Sequence, residues 1–231
     1  MSPYSQTYSK GRRNSGGRGR GRKSPSWYDK KYSARTLAVK ALQNVNYIRG
    51  LVNSEKFHFD TSLIINVNGT TGNVNCLSLI PQGDGESART GRSLLVKDLY
   101  IRLRANIDPA VTLSSRFLMV VFQDTQQVSD TVPSFTDIFN SPTPEAMMNL
   151  STAGRFKVMY RKTFILTPAT GGRPTLEISK YFKLFTHLKF NGTAGTDIQK
   201  NAIYIAFVSS ETGLTNPVTI SGQSRIGYHD N

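Results

Sequence analysis

The sequence predicts an all-β protein, a single eight-stranded antiparallel jelly roll (a β-sandwich) preceded by a disordered basic N-terminal arm and a short N-terminal helix. Three observations predict it. From Phe57 onward, strand-like runs alternate with clusters of Gly, Pro, Asn and Thr. No run of helical spacing separates one strand from the next, so parallel strand–helix–strand units are excluded. Charge is concentrated at one end: residues 1–56 hold thirteen Lys and Arg against Asp29 and Glu55, a net of +11, whereas residues 57–231 carry only +3.

The chain divides on this reading into residues 1–32, 33–56 and 57–231. The first segment is built from Ser, Gly, Tyr and Arg, including "GRRNSGGRGRGRK" at Gly11–Lys23. Its like charges repel, and it has too little apolar surface to offset the entropy of ordering. In the second, Ala34, Leu37, Ala38, Ala41, Leu42, Val45 and Ile48 recur at helical spacing. Ser33 is placed to cap this basic amphipathic helix and Gly50 to end it. Either it packs on its own domain, or it orders against nucleic acid or neighbouring subunits.

The third segment reads as strands at Phe57–Val67, Val74–Ile80, Leu94–Ile107, Arg116–Gln123, Phe156–Leu166, Leu176–Phe190, Ala202–Ser209 and Val218–Gly227. Leu99, Ile101 and Leu103 oppose Tyr100, Arg102 and Arg104. Phe182, Leu184, Leu188 and Phe190 oppose Lys183, Phe185, His187 and Lys189. Half-buried antiparallel strands alternate in this way. One longer irregular stretch, 124–154, and the strand count favour the jelly roll. No internal repeat occurs at a fixed period.

Catalytic and cofactor chemistry find no support. The loop "GDGESARTGRS" at Gly83–Ser93 departs from a phosphate-binding loop. Five residues separate Gly85 from Gly91, Arg92 stands where lysine is needed, and the loop leads into a strand. It reads as an exposed loop carrying Arg89 and Arg92. His58, His187 and His229 have no second histidine or cysteine at metal-ligand spacing, and no Gly-x-Ser-x-Gly elbow is present. His58 and Asp60 share a strand face, which implies no reaction. The single cysteine, Cys76, reads as a buried core residue, and with no disulfide partner it points to a reducing compartment. Sequons at Asn68, Asn149 and Asn191 read as chance, since no secretory signal is evident. No apolar run reaches the length of a membrane span. The expectation is therefore a protein that is no enzyme, with no cofactor and no metal.

Binding remains. Arg12, Arg13, Arg18, Arg20, Arg22 and Lys23, followed by Lys30 and Lys31 beside Trp27, Tyr28 and Tyr32, form a nucleic-acid-binding set. Basic side chains neutralise phosphates and release counterions, and aromatics stack on unpaired bases. A solubilising tail is the plain alternative, but a tail of one sign adheres to nucleic acid.

The order of segments resembles the capsid proteins of circular Rep-encoding single-stranded DNA viruses. A basic arm is followed by "ALQNVNYIRGLVNSEKFHFD", with Val52, Asn53, Glu55 and Lys56 at a motif whose glutamate and lysine are here adjacent. Then comes "IPQGDGESARTGRSLLVKDLYIRLR", with Gln82, Gly83, Arg89 and Gly91. Further on, "DIFNSPTPEAMMNLSTAGRFKVMYRKTFIL" is similar to an irregular loop leading into a strand with Arg155, Phe156 and Val158. The resemblance implies a coat protein found in the virion and the host nucleus. It implies self-assembly of about sixty copies into a T=1 icosahedral shell. It also implies packaging of circular single-stranded DNA by the arm, which would double as a nuclear localisation signal read by host import machinery, and an unknown host receptor. The Gly–Arg pattern is sparser than the arginine blocks of typical circoviruses. Coat proteins of small satellite-like RNA viruses are also similar, and a cellular RG-rich RNA-binding protein with a β domain is the reading outside virology.

Overall fold

In β1, Phe57–Val67, every second residue turns inward, and Leu63, Ile65 and Val67 reach the core. The same period of two organises β2 Asn73–Cys76, β3 Ser93–Ile107, β4 Ser115–Asp124, β5 Phe156–Leu166, β6 Thr175–Phe190, β7 Ile198–Lys200, β8 Ala202–Ser209 and β9 Val218–Asp230. All pair antiparallel, as a five-stranded sheet β1-β9-β3-β6-β7 and a four-stranded sheet β2-β8-β4-β5. Their inner faces enclose one hydrophobic cluster, from Leu99, Ile101 and Leu103 on β3 to Phe117, Met119 and Val121 on β4 and Ile205 and Phe207 on β8. The architecture is a two-sheet, mostly-β sandwich. The structure, a computed structural model, describes residues 34–51, 56–67, 69–127, 131–168, 172–212 and 218–230. The described residues fall into two units divided between Arg49 and Gly50.

The helix α1, Ala34–Leu51, belongs to the first unit up to Arg49. It runs past Gly50, which was expected to stop it; a glycine inside a helix costs only about 1 kcal/mol relative to alanine. Residues 35–48 are exposed throughout, the apolar Leu37, Leu42, Val45 and Ile48 included.

In the second unit three strands have the bounds expected from the sequence, β1, β5 and β8. The strand expected at Val74–Ile80 ends at Cys76. Leu77 and Ile80 still fill the core, but beyond Cys76 the ladder to β8 gives way to Leu77 N–H donating to the Ile203 carbonyl, 2.8 Å, and Ile203 N–H donating to the Ser78 hydroxyl, 3.0 Å. Nine strands occur among the described residues where eight were expected. The extra one, β7, spans three residues, too few for alternation to register.

The two central strands of the four-stranded sheet, β8 and β4, are covered on both sides, whereas its edge strand β5 keeps Lys157, Arg161, Lys162 and Ile165 exposed. Strand β8 is buried at every position, and so is β4 from Phe117 to Asp124. Their inner faces meet the core, and the irregular stretch 131–154 covers the outer ones. Its short helix α2, Phe135–Ile138, starts with a reciprocal cap. The Ser134 hydroxyl accepts from Asp137 N–H, and the Asp137 carboxylate accepts from Ser134 N–H. Phe135, Ile138, Phe139 and Ala146 are buried by this packing. On the sheet side, Arg161 donates to the Ala146 carbonyl and lies 5.1 Å from the Phe139 ring centroid. At the base of the loop Arg155 grips Asp124 with two bonds, 2.9 and 2.6 Å.

The Gly83–Ser93 loop corrects the sequence reading. Arg92 is exposed as expected, but Arg89 is fully buried. Its guanidinium donates to the carbonyls of Ile80 at 3.1 Å, Gly91 at 2.7 Å and Gly192 at 2.7 Å, and lies 3.8 Å from the Phe190 ring centroid. A planar five-donor group satisfies the carbonyls of two loops at once, which offsets its removal from water. Cys76 is buried as expected, and burial pushes its thiol up to about 11.

Candidate nucleic-acid interface

The outer face of the five-stranded sheet differs from its counterpart. Its outward side chains on β1, β9, β3 and β6 remain exposed or half-exposed. Strand register sets them in rows. Asp60, Arg225, Tyr100 and Tyr181 lie side by side across four strands, and Ser62, Gln223, Arg102 and Ser179 form the next row. Ile64, Ser221, Arg104 and Glu177 form the third. Alternation puts arginine, tyrosine and small polar residues outward because leucine and isoleucine hold the inward places between them.

The three arginines differ in state. Arg225 is engaged, its guanidinium meeting the Asp60 carboxylate through two bonds of 2.7 and 2.6 Å. That hydrogen bonding holds the Asp60 carboxyl below the usual carboxylate range. Arg102 and Arg104 make no ion pair among the described residues. They flank a cleft of about 560 Å³ that Tyr100, Glu177, Ser179 and Ser221 also line. Strands β9 and β3 approach closely beneath it. A Cβ at Gly222 would run into the Arg102 carbonyl oxygen, so the backbone there admits only glycine. Further along β6, Lys183 and Lys189 add exposed cations without an acid partner among the described residues. Unpaired guanidinium and ammonium groups beside tyrosine faces attract phosphate and unpaired bases.

The arm residues named from sequence, Arg12, Arg13, Arg18, Arg20, Arg22, Lys23, Lys30 and Lys31, lie outside the described residues. The sheet residues were visible as an alternation but were not read as a site. The missing signal is that residues 131–154 cover the central strands of one sheet, whereas no described residue of the second unit covers the outer face of the other. Among the described residues no group of three or more His, Cys, Asp and Glu is placed to hold a metal, and no helix is long and apolar enough to cross a membrane.

The satellite tobacco necrosis virus coat protein family matches residues 29–228. The chain belongs to that family. This viral coat protein is 28% identical to the coat protein of Maize white line mosaic satellite virus over 162 residues, covering 68% of this chain and 71% of that one. It is 24% identical to the capsid protein of Tomato yellow leaf curl Sardinia virus over 172 residues, 69% of this chain and 65% of the relative, so the match spans just under two thirds of the latter's length. A chain from desmodium yellow mottle tymovirus overlays with a TM-score of 0.33 at 12% identity, covering 75% of this coat protein and 87% of its own length. The relatives matched by sequence are structural coat and capsid proteins, not enzymes. Of the expected resemblance to capsid proteins of circular single-stranded DNA viruses, the comparisons bear out the broader statement, a viral coat protein, with both a satellite virus coat protein family and the Tomato yellow leaf curl Sardinia virus capsid protein among the matches.

Proposed function

We propose that this coat protein self-assembles into a closed T=1 shell of about sixty copies around a single-stranded genome, which its basic arm and the open sheet face bind through phosphates. The observation that carries the reading is the asymmetry of the sandwich. The central strands of one sheet are covered by the chain's own loop, while the other sheet presents Arg102 and Arg104 beside tyrosines with no ion pair among the described residues. The N-terminal charge deepens it: about sixty copies of residues 1–56, net +11 each, bring about +660 charges against roughly one per nucleotide. Circular single-stranded DNA is the first reading, from the order of motifs in the sequence. A satellite-type RNA genome is the second, favoured by the family match over residues 29–228.

The test is to purify particles from cells expressing the chain together with a candidate genome, and to type the nucleic acid that survives external nuclease. Protected material sensitive to DNase after extraction supports the first reading, and material sensitive to RNase the second. Particles that protect nothing overturn both. A nuclear stage is part of the DNA reading: residues 1–32 fused to a fluorescent reporter should carry it into the nucleus, and an unchanged cytoplasmic signal removes that part.

A further inference from the structure

We propose that Phe185, with Tyr181, forms a base-stacking platform that makes the open face selective for unpaired over duplex strands. The proposal rests on the nucleic-acid-binding reading above and names the form of strand that the face prefers. Phe185 has φ 71°, in the left-handed region that bulky residues avoid. Its ring is 64% exposed, so core packing does not hold it there. The strain has a local origin. Where β3 pairs with β6, Val96 lies opposite Thr186 and Asp98 opposite Lys183, so Leu184 and Phe185 share the single residue Lys97. Across this bulge β6 keeps its alternation, with Leu184 half-buried against the core and Phe185 outward on the face of Lys183, and the left-handed backbone falls on the exposed ring.

The surroundings decide between partners. Lys97 Nζ lies 5.0 Å from the Phe185 ring centroid, and the exposed Lys183 is two residues away on the same face. Tyr181, 56% exposed, follows on the same face, with Tyr100 opposite it. Rings set among cations suit a base with its phosphate, whereas a contact between copies of a basic chain would bring these like charges together. Duplex DNA offers the cations the same phosphates but keeps its base faces stacked, so the rings add affinity only for an unpaired strand. Strain at an exposed aromatic is retained where it aims the ring at a ligand.

The experiment uses the full chain as dissociated subunits, with labelled oligothymidine and a duplex of equal length as probes. Phe185→Asn should weaken oligothymidine binding about tenfold and leave duplex binding and the salt slope unchanged. The thermal midpoint should hold or rise, because asparagine tolerates this backbone conformation. Phe185→Trp, in a Trp27→Phe background that removes the only native tryptophan, should show indole fluorescence quenched by oligothymidine and not by duplex. The inference is overturned if both probes weaken alike, or if the midpoint falls by more than about 4 °C. It is also overturned if Phe185→Asn blocks assembly while binding is intact, which would make the ring a contact between copies. A wild-type chain that binds neither probe sinks the nucleic-acid reading itself, a result distinct from these.

Discussion

Arg89 is a buried cation whose donors end on backbone carbonyls of two loops that are far apart in sequence. A lysine there has all its donors on one atom and cannot span Ile80, Gly91 and Gly192. Orphaned buried carbonyls cost about 1–3 kcal/mol each, so Arg89→Lys should lose about 3 kcal/mol in a denaturant melt; a loss below about 1 kcal/mol would show the clasp to be incidental. Tyr228 joins the same region, its hydroxyl donating to the Ala88 carbonyl at 2.6 Å. Burial pushes this phenol up to about 12. In the unfolded chain it ionises near its usual value of about 10. The stability it contributes is therefore complete below that pH and is lost as pH rises to about 12. Cys76 acts with the same sign between its reference value of 9.0 and about 11. The thermal midpoint should accordingly fall as pH is raised through this range. Tyr228→Phe should begin about 1 kcal/mol less stable at neutral pH for want of the hydrogen bond, and then decline less steeply above pH of about 10. Equal slopes for the two proteins would contradict this assignment.

The stretch between β4 and β5 acts as a lid for one sheet, and the Asp124–Arg155 pair fastens its base. The Asp124 side chain is wholly buried and that of Arg155 is 20% exposed. Removing one partner leaves the other's charge stranded, which in buried pairs costs about 3–5 kcal/mol. Arg155→Ala should show a loss toward the lower end of that range. It should also uncover the outer face of β4 and β8, read as increased binding of an apolar dye and faster proteolysis within 125–154. A variant as resistant as the parent would mean that the aromatic packing of Phe135 and Phe139 suffices. Strands with clean alternation, β1, β3 and β6, were legible because one of their faces meets water. Strand β8, "AIYIAFVS", does not alternate, and its run of β-branched and aromatic residues marked it instead. The end of β2 and the whole of β7 escaped notice because backbone pairing, not side-chain pattern, decides them. Arg89 was misread as exposed because its partners are carbonyls, which no residue pattern announces. The open face was half legible: Tyr100, Arg102 and Arg104 alternate visibly, but that nothing in the described chain covers them is a tertiary fact.

Taken whole, the chain joins a polycationic arm to a nearly neutral sandwich whose open sheet presents Arg102, Arg104, Lys183 and Lys189 without an ion pair among the described residues. If the arm reads phosphate and not sequence, Arg18, Arg20 and Arg22 replaced together by alanine should weaken binding about equally for unrelated single-stranded oligonucleotides. The slope of log affinity against log salt should shrink by about two, at roughly 0.7 per lost contact. The sandwich should keep its thermal transition, since its core is assembled from residues beyond Phe57. Loss of affinity for one sequence only would show base readout in place of a tether. Arg102 and Arg104 replaced by alanine should lower affinity in the same sequence-indifferent way, and a slope unchanged by that pair would remove the sheet from the interface. These measurements address the parts, and assembly addresses the whole. The most direct test is sedimentation of the purified full chain with single-stranded nucleic acid, followed by negative-stain microscopy of the fast fraction. The account predicts uniform closed particles that carry nuclease-protected nucleic acid, whereas a sharp monomer boundary at every salt and protein concentration would contradict it.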